Sequence, residues 1–325
     1  MDLDVVFLGT AGSMPTARRG PSATLVRRGG ERLLFDCGEG TQRQLLRSDV
    51  GLVDLLEIYF THFHADHFLG LPGMLKTFAL RGRTAPLTLY GPRGLGELLH
   101  TLRRVFGRLT YEVGAVEVAP DAVLPREGYE LRTFAVRHGR EALGYALVED
   151  ARPGRFDVES ADALGVPFGP ERRALQDGDA VTLFDGRVVT PEQVLGPPRP
   201  GRKLVLTGDT APSDEVVAAA FGADLLVHEA TFCEDEAERA RETEHSTALE
   251  AARVAADAAV RLLALTHVSS RYGGGDVERE ARTIFAETVV PRDFDLVELP
   301  FAERGVPELV KSGARRSRAE VRSGP

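Results

Sequence analysis

Five short apolar runs in this chain each stop at a residue able to do chemistry, and this pattern constrains the fold more than any other feature of the sequence. LLEIYFT runs into His62, ELRTFAV into Arg137 and His138, KLVLTG into Asp209, DLLV into His228 and RLLALT into His267. Each run has the length and the apolar, aromatic or β-branched content of a buried strand. Between them lie helical patterns such as GELLHTLRRVF and STALEAARVAADAAVRLL, the second with Ser246 as its expected N-cap. The opening reads instead as hairpins, LDVVFLG followed by SATLVRRGGERLLFD with a turn at Gly29 and Gly30. Strands interleaved with helices predict a layered α/β protein whose strand-end loops carry function while the sheets fix their geometry.

With 325 residues, 43% of them hydrophobic, the chain has ample material for a buried core. The start, MDLDVVFLGTAG, has no basic segment followed by an apolar one, and no run approaches the roughly 18 apolar residues of a membrane span. A cytoplasmic location without membrane attachment is expected. Cys37 and Cys233 are far apart and form no CxxC pair, so they read as buried free thiols. The net charge of -9 argues against coating nucleic acid by bulk electrostatics. Local basic clusters exist at Arg18 and Arg19, Arg27 and Arg28, Arg172 and Arg173, and Arg315, Arg316 and Arg318, although an ordinary solvated surface explains any one of them equally well. From Glu149 to about Gly201 the composition turns to proline, glycine and charge, as in EDARPGRFD, GVPFGPERR and LGPPRPGR. That stretch reads as an insertion, either a functional arm with small elements of its own or a disordered linker. The expected organisation is therefore one domain over residues 1–302, interrupted by the insertion at about 149–201, and a polar, fraying tail over 303–325.

The densest chemistry is Thr61-His62-Phe63-His64-Ala65-Asp66-His67, with three imidazoles and a carboxylate directly after a predicted strand. Imidazole and carboxylate are ligand types that suit zinc, and this spacing lets the residues face two neighbouring ions. Other histidines, His138, His228 and His267, fall where strands are expected to stop, and Asp209 lies in a Gly-Asp-Thr turn. A lone histidine at a strand end is more often a satisfied core residue, yet three of them joined to a dense cluster favour ligation. His100, inside the GELLHTLRRVF helix, reads as an ordinary helix residue.

Further motifs sharpen this: FLGTAG, FDCGEGTQRQ, HEATF from His228, the run Glu244-His245-Ser246-Thr247, and THVSSRY from Thr266. With HxHxDH at His62 to His67 they make the chain, from about Leu3 to Leu299, resemble the metallo-β-lactamase-fold hydrolases, and within these the short-form transfer-RNA 3'-processing endonucleases, tRNase Z. The resemblance implies a four-layer αβ/βα fold with an inserted substrate-binding arm. It implies two zinc ions per subunit, one held by His62, His64 and His138 and the other by Asp66, His67 and His267, with Asp209 bridging. The implied reaction removes the 3' trailer of precursor transfer RNA, leaving a 3'-hydroxyl on the tRNA and a 5'-phosphate on the trailer. Asp66 would orient the nucleophile, and His245, supported by Glu229, would give a proton to the leaving oxygen. A structural alternative makes Glu229 the cap of a turn and His245 the opening of a helix.

By the same resemblance the arm grips the elbow of transfer RNA, with phosphate contacts falling to Arg152, Arg155, Arg172 and Arg173. Acidic neighbours, Asp157, Glu159, Asp162 and Glu171, leave the arm without net positive charge. A homodimer in which one subunit's arm serves the other's active site is also implied. One departure concerns Pro15-Thr16-Ala17-Arg18-Arg19-Gly20, where some relatives carry PxKxRN; Ala17 replaces the lysine and Gly20 the asparagine, which leaves cleavage before or after CCA open. Rival readings are a phosphodiesterase for small substrates or cyclic nucleotides, which needs no arm, and a thioester hydrolase, which shares HxHxDH but not HEATF or THVSSRY. Manganese or iron would also accept these ligands.

Overall fold

The computed structural model describes residues 1–52 and 55–312; the basic cluster Arg315, Arg316 and Arg318 lies outside the described residues. The first half of the chain supplies β1 (Leu3–Gly9), β2 (Ala23–Arg28), β3 (Glu31–Phe35), β4 (Glu57–Tyr59), β5 (Leu87–Gly91) and β6 (Val113–Glu117). Then come β7 (Val123–Arg126), β8 (Tyr129–Ala135) and β9 (Leu143–Glu149), followed by a small hairpin, β10 (Val181–Thr182) and β11 (Val188–Val189). The second half supplies β12 (Lys203–Leu206), β13 (Leu225–Glu229), β14 (Leu263–Thr266), β15 (Thr288–Val289), β16 (Leu296–Glu298) and β17 (Glu308–Val310). One sheet runs β17-β16-β1-β2-β3-β4-β5-β6 and the other β15-β14-β13-β12-β9-β8-β7. In each, an antiparallel part continues into parallel strands, β3 to β6 in the first and β12 to β15 in the second.

Side-chain alternation builds four layers from these sheets. On β1, Leu3, Val5 and Phe7 enter the core between the sheets, and Val6 and Leu8 face outward to the helices Leu71–Leu80 and Leu95–Phe106. On β13, Leu225 and Val227 join the same central core, whereas Leu226 packs with the helices Asp214–Ala220, Ala248–Asp257 and Gly274–Ala281. Cover on both faces is why these strands read as continuous apolar runs. The architecture is the expected α/β arrangement of helix, sheet, sheet and helix.

The same alternation corrects one expectation. His228 does not end a strand; it lies inside β13, one residue before Glu229, so the two side chains must leave opposite faces. The His228 ring is fully buried, bonds the Glu229 carbonyl at 2.8 Å through Nδ1, and stays outside the histidine cluster. The expected cap at Ser246 also moves by one residue. Thr247 caps the helix Ala248–Asp257 in a reciprocal capping box with Glu250, and the Ser246 hydroxyl instead donates to the Thr210 carbonyl at 2.6 Å. Nor does the chain leave the fold at residue 303: Glu308–Val310 adds an edge strand to β16, and Val310 is buried against the first sheet's outer core.

Residues between β9 and β12 form a small unit with helices Val158–Ala163 and Pro170–Asp177, the β10–β11 hairpin, and an apolar cluster of its own around Ala161, Val166, Leu175, Val181, Val189 and Val194. Among the described residues, no helix is long and apolar enough to cross a membrane.

At the rim where β4 and β12 end, the two sheets are tied together by hydrogen bonds to the β4 chain. The Leu143 amide donates to the Thr61 carbonyl at 2.9 Å and the Tyr145 hydroxyl to the Phe60 carbonyl at 2.8 Å. Gly208 sits there with φ of 63°, and a Cβ on it would lie 2.7 Å from the Thr61 Cβ. Gly208→Ala combines left-handed strain with overpacking and is expected to cost roughly 2–4 kcal/mol, read as a lower urea midpoint. An unchanged midpoint would contradict this close approach.

Candidate metal centre

Loops leaving the strand ends deliver seven side chains to one place. His62, His64, Asp66 and His67 follow β4, His138 follows β8, Asp209 follows β12 and His267 follows β14. They divide into two groups around one carboxylate. Asp209 Oδ2 is 3.8 Å from Nε2 of both His62 and His138, and 3.3 Å from Nε2 of both His67 and His267. Within the first group His138 Nε2 is 3.1 Å from His64 Nδ1; within the second, His267 Nε2 is 3.1 Å from Asp66 Oδ2 and 3.4 Å from His67 Nε2. Tetrahedral zinc with bonds of about 2.0–2.1 Å places its ligand atoms about 3.3 Å apart, so both groups have the spacing of a metal's coordination shell. His62 Nε2 and Asp209 Oδ1 are buried without a hydrogen-bond partner, as atoms facing a cation would be.

The other nitrogen of four rings is fixed by the protein, which sets tautomer and orientation. Nδ1 of His62 bonds the Thr61 hydroxyl at 3.0 Å, Nδ1 of His67 the Asp36 carboxylate at 2.7 Å, Nδ1 of His138 the Glu244 carbonyl at 2.9 Å, and Nδ1 of His267 the Thr231 hydroxyl at 2.8 Å. Asp66 accepts the Ser13 amide at 2.9 Å. Burial and the neighbouring imidazoles hold His62 and His64 below the ordinary histidine range, in the neutral form that offers a lone pair. Burial opposes charge on His67 too, but Asp209 and Asp36 outweigh it and raise its pKa. Burial likewise works against the Asp66 carboxylate, yet His267 and His67 hold it below the usual range.

Beside this cluster lies a second, linked pair. Fully buried Glu229 accepts from His245 Nδ1 at 2.7 Å and from the Thr231 hydroxyl at 2.6 Å, and its ends are further held by the Thr210 and Thr231 amides at 2.9 and 3.1 Å. Desolvation would lower the His245 pKa, but Glu229 overrides it and the imidazolium rises to about 9. The His245 ring stacks on His267 at 5.4 Å and lies 4.7 Å from His138, between the two ligand groups. Glu229 is therefore more than a turn cap.

Of the arm arginines, only Arg155 is exposed with no ion-pair partner among the described residues. Arg172 pairs with Asp162, Arg173 with Asp177 at 2.8 Å, and Arg152 lies at the arm's base on Glu303 at 2.8 Å. In the Pro15 to Gly20 loop, Ala17 and Arg18 are exposed, whereas Arg19 turns inward to the Thr10 hydroxyl at 2.6 Å and the Pro291 carbonyl at 2.8 Å. Four supporting residues lie beyond the expected set: Asp36, Thr231, Ser13 and Glu244. Asp36 follows the same rule as the ligands, a polar residue ending a strand, and Thr231 lies inside HEATF. Ser13 and Glu244 act through backbone atoms, which no side-chain pattern reveals.

Residues 31–268 match the model of the Beta-lactamase superfamily domain family. The chain is 49% identical over 308 residues to Ribonuclease Z of Natronomonas pharaonis, covering 93% of this chain and all of that protein. It is 50% identical to Ribonuclease Z of Halobacterium salinarum, covering 93% of this chain and 99% of the relative. The crystal structure of human tRNase Z, short form, superposes with a TM-score of 0.67 at 28% identity, over 91% of this chain and 99% of that one.

Asp36 bears on His67 through Nδ1, leaving Nε2, the nitrogen that faces Asp209, free to ligate. Asp36→Asn keeps the shape but removes the charge, and is expected to weaken metal affinity by about 10–100-fold. Competition against a chromophoric chelator measures this, and parent-like affinity would deny Asp36 its role.

Proposed function

Since the chain belongs to the ribonuclease Z family of the metallo-β-lactamase superfamily, we propose that it is the endoribonuclease that removes the 3' trailer from precursor transfer RNA. The observation that carries the chemistry is a single carboxylate, Asp209, facing two groups of ligands at 3.3–3.8 Å. His62, His64 and His138 would hold one zinc ion, Asp66, His67 and His267 the other, with Asp209 shared. Bound there, zinc supplies Lewis acidity, neutralising charge on the phosphate and making water a usable nucleophile near neutral pH.

The protein's own residues do the rest. Asp66, kept ionised and held by the Ser13 amide, orients the attacking water. His245, charged through Glu229, carries the proton that the departing 3'-oxygen needs, because an alkoxide is a poor leaving group. The tRNA keeps its 3'-hydroxyl and the trailer leaves with a 5'-phosphate. The arm between β9 and β12 binds the tRNA body away from the cut, with the exposed Arg155, unpaired among the described residues, as its candidate phosphate contact. Support for a homodimer working in the cytoplasm, one subunit's arm serving the other's active site, is the family resemblance.

Labelled precursor transfer RNA is expected to yield one cut at the 3' trailer that chelation abolishes and zinc restores. His64→Ala is expected to lose metal by elemental analysis. His245→Ala is expected to keep its metal while turnover falls about 10²–10⁴-fold. Turnover of small cyclic or thioester substrates with intact precursor RNA would instead favour a different hydrolase of this fold.

A further inference from the structure

The arm leaves the body on two chains and needs something to fix its angle. The Glu149 amide donates to the Arg202 carbonyl at 3.0 Å, the amides of Arg152 and Arg199 exchange bonds at 2.7 and 2.9 Å, and the Asp157 amide meets the Val194 carbonyl at 2.7 Å. Along this stalk the chains pack backbone on backbone, since a Cβ on Gly154 would lie 1.8 Å from the Gly196 carbonyl oxygen. A two-stranded ribbon of this kind has little stability or stiffness by itself. Its direction has to be set where it is rooted.

At the root, arginines from both stalk chains converge on the segment between β16 and β17. Phe301 and Glu303 follow β16, on the turn before β17. The Arg152 guanidinium carbon lies 3.4 Å from the Phe301 ring centroid and that of Arg202 lies 4.1 Å from it. The Glu303 carboxylate takes both terminal nitrogens of Arg152, at 2.8 and 3.1 Å, and one of Arg199 at 3.1 Å. Arg202 in turn holds Glu149 at 2.7 Å and the carbonyls of Leu299 and Met1 at 2.9 and 3.1 Å. Planar guanidinium groups suit both stacking on a ring and paired bonds to a carboxylate, so these contacts restrain direction as well as distance.

We propose that Phe301 and Glu303 are positioning residues: the segment after β16 clamps the outgoing and returning chains of the arm and sets the angle at which the arm meets its RNA. The proposal rests on the reading of the arm as the tRNA-binding element. It also removes Arg152 from the phosphate contacts expected from sequence, because its guanidinium is already committed to Phe301 and Glu303. A loosened clamp leaves the metal centre intact and the arm folded, but spreads the arm over many orientations. The cost then appears in substrate capture.

The test compares kcat and KM on precursor transfer RNA with turnover of bis(p-nitrophenyl) phosphate, a diester too small to reach the arm. Three variants of the full chain are needed, Phe301→Leu, Phe301→Tyr and Glu303→Gln, together with an excision that joins residues 157 and 194 by a short glycine linker. Phe301→Leu and Glu303→Gln are expected to raise the RNA KM about 10-fold with kcat and small-diester turnover within about twofold, the pattern of lost substrate binding rather than lost chemistry. Phe301→Tyr keeps a ring for the arginines and is expected to restore the parent KM. Amide exchange at Arg152 and Arg199 is expected to quicken in the two loosened variants. If excision leaves the RNA KM unchanged, the reading of the arm itself fails. If excision raises KM while Phe301→Leu and Glu303→Gln do not, or if those two lose activity equally on both substrates, the clamp is overturned.

Discussion

Five imidazoles and two carboxylates meet at one rim of the sandwich, five of the seven buried, with Asp66 half-buried and His64 open to solvent, and the fold is organised around that convergence. Asp209 is 3% exposed, with His62, His67, His138 and His267 all within 4 Å of its Oδ2. Burying a carboxylate among ring nitrogens with one oxygen unpaired is unfavourable for a structural core. Cations shared between the two groups would make the same arrangement favourable, which accounts for these strands ending where they do. The loops after β1, β3, β4, β8, β12, β13 and β14 each carry a candidate ligand or a group that bonds one.

Precision at the rim comes from backbone strain supported by the sandwich beneath. Ser13, Asp36, Glu244 and His267 all have positive φ, between 54° and 59°, and all four either line the cluster or orient one of its rings. Non-glycine residues keep such conformations only when their surroundings over-determine them. Here the packed sheets, and the backbone contact at Gly208 and Thr61, supply that support. Thr231 extends the same rigidity sideways, since its hydroxyl lies between His267 of the ligand cluster and Glu229, the partner of His245. The ligand cluster and the proposed proton donor are thereby held in one frame.

Much of this was legible in the sequence because the relevant signals are local. A buried strand ending at a histidine or aspartate is visible at His62, His138, Asp209 and His267, and the β2–β3 hairpin follows from Gly29 and Gly30. His228 misled for a physical reason: strand periodicity puts neighbours on opposite faces, and Glu229 was the residue aimed at the rim. The cap shifted from Ser246 to Thr247 because a hydroxyl that could cap was needed to tie Thr210 in place. Asp36 and Glu244 bond ring nitrogens across 31 and 106 residues of chain, and such pairings depend on tertiary geometry alone. The expectation that Arg152 contacts phosphate rests on the resemblance of the arm, and no local signal shows Phe301 and Glu303 arriving from the far end of the chain to engage it.

The proposed chemistry requires Asp209 to serve two cations at once. X-ray absorption spectroscopy at the zinc edge, on protein loaded with two equivalents, reads this directly through scattering between metals. Nitrogen and oxygen neighbours at about 2.0–2.1 Å and a metal–metal distance of about 3.5–4 Å are expected. A spectrum of isolated ions, with no metal–metal scattering at full loading, would contradict it.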